Sequence, residues 1–420
     1  MVTISTQLKE QVHHCIRCGL CLNSCPVYRQ LWFEGASPRG KIQLIKKVLE
    51  GQLEPSDHFG RLLGTCLLCE TCSVTCPSGV QLDRIMKSMR AELLKTFSAP
   101  WEKRLFFHLL SSRRLLPFTM FWGRTLENPL RLLLPKSSQA GTIPYSRIPR
   151  LNARPLIHQF PEVVTVDGLP KGRVLYFVGC ATNYMFENIG RSLIGLLNRL
   201  GVEVIIPQEQ MCCGFPICLD GARTIALTNI RHNLDLFDPQ NVDAVIVDCA
   251  TCGAALKHEY PKLLEEMGEE AGAAAAGQLA QKVQDISQYL SRFDLHTHLK
   301  ALPGRVTYHD PCHLLRTQGV KDDPRNLLKN IPQMELIEME GSEVCCGGGG
   351  TFQLDHPELA SAITAKKIQS IKDTQADLVA TGCPGCRLQI HGNLTDDKLK
   401  VVHPVELLAQ ALSLRGTSCI

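Results

Sequence analysis

Short apolar segments alternate with longer helical stretches through the second half of the chain. These segments cover residues 174–178, 202–206, 244–247, 306–310, 335–339 and 377–381. Short runs bounded by helices predict the strands of an α/β fold with mainly parallel sheets. A cysteine follows each segment. Because the carboxyl ends of parallel strands meet at one edge of a sheet, we expect these cysteines to gather near one face.

The pattern before residue 97 is helical. Apolar residues recur at helical spacing over 42–49, after Pro38 and Gly40 and before a stop at Gly51. Residues 82–94 also predict a helix. We therefore expect residues 1–96 to form a mostly α-helical domain that holds its cysteines in loops.

Residues 97–170 are predicted to form a helical connector and a linker. Residues 101–136 are rich in Leu, Phe and Trp, and their basic residues outnumber the acidic Glu102 and Glu127. Such a segment lies on a membrane surface, docks against a partner subunit or packs as a helical connector, and the sequence leaves all three open. Residues 137–161 are rich in Pro, Ser, Gly and Arg, which is typical of a linker.

The second half of the chain contains two copies of one pattern: a lone Cys, a Cys-Cys-Gly and a Cys-x2-Cys. The first CCG set is Cys180, Cys212, Cys213, Cys249 and Cys252, and the second CCG set is Cys312, Cys345, Cys346, Cys383 and Cys386. Each position recurs after 132 to 134 residues. Such constancy indicates a duplication, with one domain over 171–300 and another over 301–420. The Gly/Ala-rich residues 271–280 either extend a helix or connect the copies.

Composition narrows the class of protein. With 420 residues, 44% hydrophobic and 20% charged, the chain is expected to be soluble and globular, with two or three domains. A net charge of +4 argues against a dedicated nucleic-acid binder. We find neither a signal peptide nor an apolar run of about 18 residues and expect a cytoplasmic protein. Thiols stay reduced there, so the 20 cysteines favour metal binding over disulfides.

Two further cysteine groups share the spacing Cys-x2-Cys-x2-Cys-x3-Cys-Pro, 51 residues apart. The first ferredoxin set is Cys15, Cys18, Cys21 and Cys25, and the second ferredoxin set is Cys66, Cys69, Cys72 and Cys76. In this bacterial ferredoxin spacing the fourth cysteine reaches the other cluster. We therefore predict two [4Fe–4S] cubane clusters. Cluster 1 takes Cys15, Cys18, Cys21 and Cys76, and cluster 2 takes Cys66, Cys69, Cys72 and Cys25. Zinc prefers paired Cys-x2-Cys units, and a thioredoxin-type dithiol needs a βαβ context that these cysteines lack.

The Cys-Cys-Gly sequences need a sharp bend, because adjacent side chains diverge and meet one metal only around a tight loop. Gly214 and Gly347 permit that bend. Five thiolates exceed the four that a cubane needs. The surplus predicts a cluster of unusual shape or one thiolate free for chemistry. A set that binds zinc, or that survives as a structural remnant, is the alternative.

At these residues the chain resembles the cysteine-rich domain of heterodisulfide reductase subunits. Iron–sulphur subunits of glycolate oxidase, D-lactate dehydrogenase and anaerobic glycerol-3-phosphate dehydrogenase share that domain. The resemblance rests on the CCG spacing, on residues 38–40, 309–313, 345–347 and 383–386, and on the order of the domains. It implies one or two further [4Fe–4S] clusters, non-cubane in heterodisulfide reductase, each bound by the five cysteines of a CCG set. Many glycolate oxidase subunits lack part of the first CCG set, whereas this chain keeps both complete.

The resemblance also implies a function. The leading interpretation is an oxidoreductase subunit that carries electrons for a flavin-dependent 2-hydroxy acid (glycolate or lactate) dehydrogenase. A partner subunit with FAD would supply the electrons, and a quinone or another carrier would accept them. The chain has no nicotinamide, flavin or P-loop fingerprint, so we assign substrate oxidation to that partner. Peripheral association with the inner face of the cytoplasmic membrane is a further prediction.

Two other interpretations remain open. The complete CCG sets favour a catalyst that itself reduces a disulfide at the CCG clusters. A regulatory or scaffold protein with only structural metal is the third.

Four single positions and a glycine run have their own interpretations. His309 and His313 flank Cys312 and either tune a cluster through outer contacts or cap the end of a strand. Cys218 and Cys419 belong to no set and are expected to be packing or surface cysteines. The glycines at 347–350 lack nucleotide-loop spacing and are predicted to leave room for a cluster or for another chain's backbone.

Overall fold

The computed structural model describes residues 4–133, 135, 138–396 and 398–413. Its N-terminal part is mostly helical, which confirms the prediction. The helices are α1 (Thr6–His13), α2 (Leu20–Ser24), α3 (Tyr28–Leu31), α4 (Pro38–Leu49), α5 (Asp57–Gly64), α6 (Thr71–Val74) and α7 (Leu82–Thr96). Helix α4 begins before the apolar pattern does. Pro38 occupies its first turn, and the Ser37 hydroxyl accepts a hydrogen bond from the Gly40 N–H at 2.9 Å.

The connector contains two helices, α8 (Trp101–Leu110) and α9 (Leu115–Leu133). Among the residues that the structure describes, no helix is both long enough and apolar enough to span a bilayer. The linker holds a short antiparallel hairpin that its composition does not predict, made of β1 (Gln139–Ala140) and β2 (Ile143–Pro144). Ile143 is buried against Gly392 of the last domain, so this part of the linker is packed rather than loose.

The first CCG domain is a sheet covered by helices. In chain order its elements are β3 (Val163–Val164), β4 (Gly172–Phe177), α10 (Cys180–Tyr184), α11 (Glu187–Arg199), β5 (Val202–Ile205), α12 (Phe215–Leu219), α13 (Arg223–Leu236), β6 (Ala244–Val247), α14 (Ala250–Ala254), α15 (Tyr260–Glu266), α16 (Glu270–Lys282), β7 (Val283–Asp285) and α17 (Ile286–Leu290). The strand order is β3-β5-β4-β6-β7, and only β3 is antiparallel to its neighbour. The Gly/Ala-rich residues 271–280 lie within helix α16, which leads directly into β7.

The second CCG domain repeats this plan. Its elements are β8 (Gly304–Tyr308), α18 (Asp322–Lys329), β9 (Met334–Leu336), α19 (Phe352–Asp355), α20 (Pro357–Asp373), β10 (Leu378–Ala380), α21 (Pro384–Asn393), β11 (Lys400–Val402) and α22 (Pro404–Ala411). The sheet is wholly parallel, in the order β9-β8-β10-β11. That order matches β5-β4-β6-β7, so the predicted α/β fold and the duplication are confirmed.

The two CCG domains share one apolar core. Helix α11 of the first domain packs against α22 of the second. Buried side chains from both helices, Leu193 and Leu197 with Val405 and Leu408, belong to the same cluster. The two sheets are therefore fixed relative to each other, and so are the cysteines that follow their strands.

Helix α7 fastens the N-terminal domain to the first CCG domain. The buried Lys87 ammonium donates to the Glu259 carboxylate, with Nζ and Oε2 2.5 Å apart. The Arg90 guanidinium donates to the Cys66 carbonyl at 2.7 Å on one side and to the Leu219 carbonyl at 2.8 Å on the other. One arginine thus joins a ferredoxin loop to the segment that follows the first Cys-Cys-Gly.

Candidate metal centres

The two ferredoxin loops share left-handed backbone conformations that bend each loop around the place where its cysteines meet. Arg17 and Gly19, with φ of 60° and 86°, flank the middle cysteine of the first loop. Leu68 and Glu70, with φ of 53° and 61°, flank that of the second. Left-handed residues on both sides of the middle cysteine turn each loop tightly. Three of the four are not glycine, and strained backbone of this kind clusters at functional sites.

Cys25 lies with the second ferredoxin set rather than with its own. Burial raises the pKa of the Cys25 thiol, and the Cys66 thiol raises it further. The pKa of Cys72 is raised by burial and then by Cys66, Cys69 and Cys25. Groups that repel one another in this way are close in space. The structure thus brings together the four residues that we assign to cluster 2.

Cys21 lies with Cys15 and Cys18, since burial raises its pKa and both thiols add to that effect. The two loops are related by a local pseudo-symmetry. The hydroxyls of Ser24 and Thr75, each directly before the fourth cysteine of its set, are 3.4 Å apart. Cys76 accepts a hydrogen bond from the Val80 N–H at 3.4 Å, and Cys25 accepts one of equal length from Tyr28. This symmetry supports Cys76 as a ligand of cluster 1, which stays a prediction.

The two ferredoxin sites differ in their surroundings. Cys18 is exposed, and its neighbours Ile16 and Leu20 are 69% and 61% exposed. Cys69 is buried, and Arg316 of the second CCG domain donates to its carbonyl oxygen at 3.3 Å. The cluster 1 site therefore opens to solvent, whereas the cluster 2 site faces the CCG domains.

The second ferredoxin loop meets the second CCG set directly. Burial raises the pKa of Cys69 to about 12, and the next contribution comes from the Cys345 thiol. A Cβ at Gly349 would lie 2.6 Å from the Leu67 side chain. The glycine run thus makes room for this chain's own ferredoxin loop. The prediction that the run leaves space for a cluster or for another chain's backbone stays a prediction.

The five thiols of the first CCG set form a continuous series beyond the ends of β4, β5 and β6. The sulphurs of Cys180 and Cys212 are 3.8 Å apart. The series continues through Cys213 and Cys252 to Cys249, because each of these thiols shifts the pKa of the next. Gly214, at φ 74°, makes the bend that the sequence predicts.

The second CCG set repeats this arrangement. Its series runs Cys312, Cys345, Cys346, Cys386, Cys383. Gly347 makes the bend at φ 92°. The two series meet at Cys249 and Cys383, where the Ala250 N–H donates to the Gly382 carbonyl at 3.1 Å and the two thiols shift each other's pKa. All ten CCG-set cysteines therefore lie along one connected path, near one face as predicted.

The chemistry of these donors fits iron–sulphur clusters. Hydrogen bonds from Cys212 and Cys252 lower the pKa of Cys213 to about 5, while the hydrogen bond with Cys212 and burial hold that of Cys180 well above its usual value. Thiols packed in this way cannot all ionise by themselves. Iron resolves the conflict, because a bound cation stabilises every thiolate that it contacts. Sets made only of sulphur ligands select Fe–S clusters or zinc over the harder divalent ions.

His309 joins the second CCG set. It is buried, with Nδ1 3.1 Å from the Ser342 carbonyl oxygen and no hydrogen bond at Nε2. A ring nitrogen lies within 4.8 Å of the thiols of Cys346 and Cys386. Burial lowers the pKa of His309 to about 3, so the ring is neutral. A buried nitrogen without a partner, next to two thiols, favours contact with a bound cluster over strand capping.

The other singled-out positions lie outside the sets. His313 packs edge-on against Phe215, with ring centroids 5.0 Å apart. Cys218 is buried in helix α12, as expected of a packing cysteine. Cys419 lies outside the described residues.

Sequence reasoning did not find the helical side chains that hold the Cys-Cys-Gly loops. The Asn229 amide donates to the Cys212 carbonyl at 2.9 Å, and the Tyr260 hydroxyl donates to that of Cys213 at 3.1 Å. In the second domain the Thr364 hydroxyl donates to the Cys346 carbonyl at 2.8 Å. These residues follow no motif, and only the packing of α13, α15 and α20 reveals their role.

We expect Gly347→Ala to lower stability by about 2 kcal/mol and to reduce iron in the second CCG domain. A Cβ at Gly347 would lie 2.7 Å from the Thr364 hydroxyl, in a left-handed backbone conformation. Iron per chain and the urea midpoint of the anaerobic protein measure both effects. Gly60→Ala is the matched control, because no atom lies within 4 Å of its added Cβ. Equal iron content and equal midpoints in the two variants would contradict the role of this bend.

Lys41 is a candidate for tuning the potential of cluster 2, and the sequence pattern does not reveal it. It is buried on α4, and its ammonium donates to the Ala36 carbonyl at 2.6 Å. Burial lowers the pKa of Lys41, and the thiols of Cys66 and Cys25 oppose that shift. Lys41 therefore lies beside the cysteines that we assign to cluster 2, where a positive charge would favour the reduced, more negative state of a cluster.

We expect Lys41→Gln to lower the midpoint potential of cluster 2 by about 50–100 mV, through loss of that charge. Redox titration followed by electron paramagnetic resonance measures the shift. Lys47→Gln, an exposed position on the same helix, should leave the potential unchanged. An unchanged potential in the Lys41 variant would show that this charge does not act on the cluster.

Two protein families match the chain. A 4Fe-4S dicluster domain matches residues 11–80. A cysteine-rich domain matches twice, over residues 174–257 and 306–391. These ranges contain every cysteine of the ferredoxin and CCG sets.

Relatives match over nearly the whole chain. A probable glycolate oxidase iron-sulfur subunit of Bacillus subtilis is 32% identical, over 98% of this chain and 97% of the relative. One subunit of the dihydromethanophenazine:CoB–CoM heterodisulfide reductase of Methanosarcina acetivorans is 29% identical, over 98% and 96%. The crystal structure of a hypothetical protein from Helicobacter pylori has the same fold, with a TM-score of 0.54 and 13% identity, over 97% of this chain and 73% of that one.

Proposed function

Because the chain belongs to the family of iron–sulphur proteins that join a 4Fe-4S dicluster domain to two cysteine-rich domains, we propose that it is the electron-transfer subunit of a 2-hydroxy acid dehydrogenase complex. A partner subunit that holds FAD oxidises glycolate or lactate. The name and near-complete coverage of the Bacillus subtilis relative support the substrate class. This chain provides iron–sulphur clusters and receives the electrons.

One observation carries this proposal: the cysteine sets form a series from one surface into the interior. Cys69, which we assign to cluster 2, neighbours Cys345, and Cys249 neighbours Cys383 where the Ala250 N–H donates to the Gly382 carbonyl at 3.1 Å. We propose that electrons pass from cluster 1 to cluster 2, then to the second CCG set and last to the first CCG set. In this order each step joins sites whose ligands are in contact or in adjacent loops.

The FAD-containing partner binds, in this proposal, at the exposed edge of cluster 1. Cys18 is exposed there between Ile16 and Leu20. Trp32 and Phe33, which follow α3, are also exposed, and α3 packs on α2 of the same loop. Large apolar side chains around an exposed cluster ligand suit a protein interface.

The far end of the series delivers electrons to a quinone or another carrier. We propose that the complex works on the inner face of the cytoplasmic membrane, where a lipid-soluble quinone is within reach.

Copurification tests the partner. The native protein, isolated anaerobically, should carry an FAD-containing chain with it, and glycolate or lactate should bleach the iron–sulphur absorbance. Trp32→Asn should slow this bleaching while iron content stays constant, because asparagine tolerates the φ of 49° at this position. Absence of a flavoprotein, or flavin reduction that never reaches the clusters, would refute the proposal.

The complete CCG sets favour a second candidate function, reduction of a disulfide at those clusters. Similarity to the heterodisulfide reductase of Methanosarcina acetivorans supports it. The purified chain would then oxidise a reduced viologen dye when a disulfide is supplied. No turnover with any thiol–disulfide pair would exclude it.

A further inference from the structure

Helices α8 and α9 with the turn between them, which we call the connector hairpin, present apolar side chains to solvent. The face, which we call the α8–α9 face, consists of exposed residues Trp101, Leu105, Phe106, Leu115, Phe118, Phe121, Trp122 and Leu126. Residues 115, 118, 122 and 126 recur at steps of three and four, so they form one stripe along α9. Trp101 is 70% exposed, and two of the three tryptophans of the chain lie on this face.

The opposite side of the hairpin is anchored in the protein. Phe107, Leu110 and Leu116 are buried in the main apolar core. The Lys103 ammonium binds the carboxylates of Asp220 at 2.9 Å and Asp355 at 2.7 Å. The helices are thus fixed with the α8–α9 face outward, and the exposure does not come from a loosely placed segment.

Charge at the hairpin turn favours an anionic occupant. Arg113 and Arg114 are exposed at the turn between α8 and α9, where Arg113 binds Glu209, and Arg104 is exposed in the first half of α8. Within the described part of the hairpin, Glu102 is the one exposed acid, because Glu127 is buried and bound by Arg131 at 2.8 Å. Exposed aromatic residues next to arginines are typical of helices that lie in the headgroup layer of anionic membranes.

We propose that the α8–α9 face binds the surface of an anionic lipid bilayer. The helices lie in the interface, the aromatic side chains enter the acyl boundary, and the arginines contact lipid phosphates. This inference rests on the proposed function only for the reason why the protein would bind a membrane.

The turn between α8 and α9 also covers one end of the cysteine series. Leu110, Leu116 and Pro117 line a cavity of about 30 Å³ together with Cys180 and Cys212. Membrane binding would therefore place the first CCG set next to the lipid phase.

Vesicle sedimentation tests the proposal with the full-length protein. We expect binding to vesicles of equal parts phosphatidylglycerol and phosphatidylcholine, and binding at least about tenfold weaker to phosphatidylcholine alone. Trp101→Ser with Trp122→Ser should weaken binding to the anionic vesicles about tenfold or more, through lost apolar burial. Arg104→Gln with Arg114→Gln should weaken it to a similar degree and reduce its dependence on salt.

Two exposed apolar residues elsewhere provide matched controls. Leu169→Ser, at a position 94% exposed, and Trp32→Asn should both leave vesicle binding unchanged. Iron content and circular dichroism confirm that each variant is folded, and reduction by a soluble dye measures electron transfer without vesicles. Failure of that reduction would count against the proposed function and not against the membrane face.

Three outcomes would overturn the inference. The first is equal sedimentation of the protein with and without either kind of vesicle. The second is vesicle binding that survives both double substitutions. The third is loss of a copurifying protein chain in the tryptophan variant when the wild type itself binds no vesicles. That result would make the α8–α9 face a protein–protein interface within the complex.

Discussion

Replacing Cys69 by serine is expected to slow electron transfer from cluster 1 to the CCG sets by more than about 100-fold. Cys69 is buried, is assigned to cluster 2, and has the Cys345 thiol of the second CCG set as its neighbour. Loss of cluster 2 interrupts the proposed series at its middle step. Cluster 1 and the CCG sets should stay filled and reducible by a strong soluble reductant. Stopped-flow reduction, with paramagnetic resonance of each cluster, separates these outcomes.

Cys218→Ala is the control for this experiment. Cys218 is as buried as Cys69 but belongs to no ligand set. Its variant should keep both its iron content and its rate. A Cys69 variant that lacks cluster 2 and still transfers electrons at the original rate would show that cluster 2 is not on the path.

Lys87→Met should cost about 3–5 kcal/mol of unfolding free energy, because it leaves the Glu259 carboxylate buried without its partner. The pair joins α7 to the first CCG domain, and both side chains are buried. Urea unfolding of the anaerobic protein, followed by circular dichroism, measures the loss. The double variant Lys87→Met with Glu259→Met should recover most of it, since an apolar pair of similar volume removes the stranded charge. A double variant no more stable than the single one would refute this explanation.

The same pair predicts how stability depends on pH. Burial raises the pKa of Glu259, but the Lys87 charge and hydrogen bond outweigh it, and the net shift is downward. Burial lowers the pKa of Lys87, and Glu259 reverses that shift to a net rise. The contribution of Glu259 is therefore present above its unfolded pKa of about 4.3 and is lost as pH falls through the lower folded value. That of Lys87 is present below about 10.4 and is lost only as pH rises through the higher folded value. Between those limits the contribution of the pair to the wild type is constant. In the Lys87→Met variant burial raises the pKa of Glu259, so the margin of the wild type over the variant should narrow as pH falls.

The local sequence pattern was sufficient to predict where the cysteines of the CCG sets lie relative to the strands. Each apolar run ends just before a cysteine, and a parallel sheet brings such positions to one edge. Gly214 and Gly347 could be assigned to tight bends because only a bend lets adjacent cysteines share a centre. By contrast, β7 and β11 escaped prediction, because the one or two consecutive apolar residues in each, between polar neighbours, do not stand out as an apolar segment.

Contacts between residues that are far apart in the sequence could not be predicted. Nothing near Cys69 or Cys345 in the sequence indicates that their thiols are neighbours, since that contact depends on how the N-terminal domain docks. Lys41 follows Gly40 in a helix with other lysines, and its sequence context is that of a surface residue. Its burial comes from the loop at Ala36 and from the second ferredoxin loop, which close over it.

The apolar core that α11 and α22 share has an evolutionary consequence. Two copies of one unit that bury their helices against each other are, in effect, a dimer whose protomers became covalently joined. Such a fusion lets the halves diverge while their contact is kept. His309 illustrates this divergence, because Phe177 stands 132 residues earlier at the matching position. One ancestral binding loop has thereby produced two unequal environments, which a symmetric pair of identical chains could not provide.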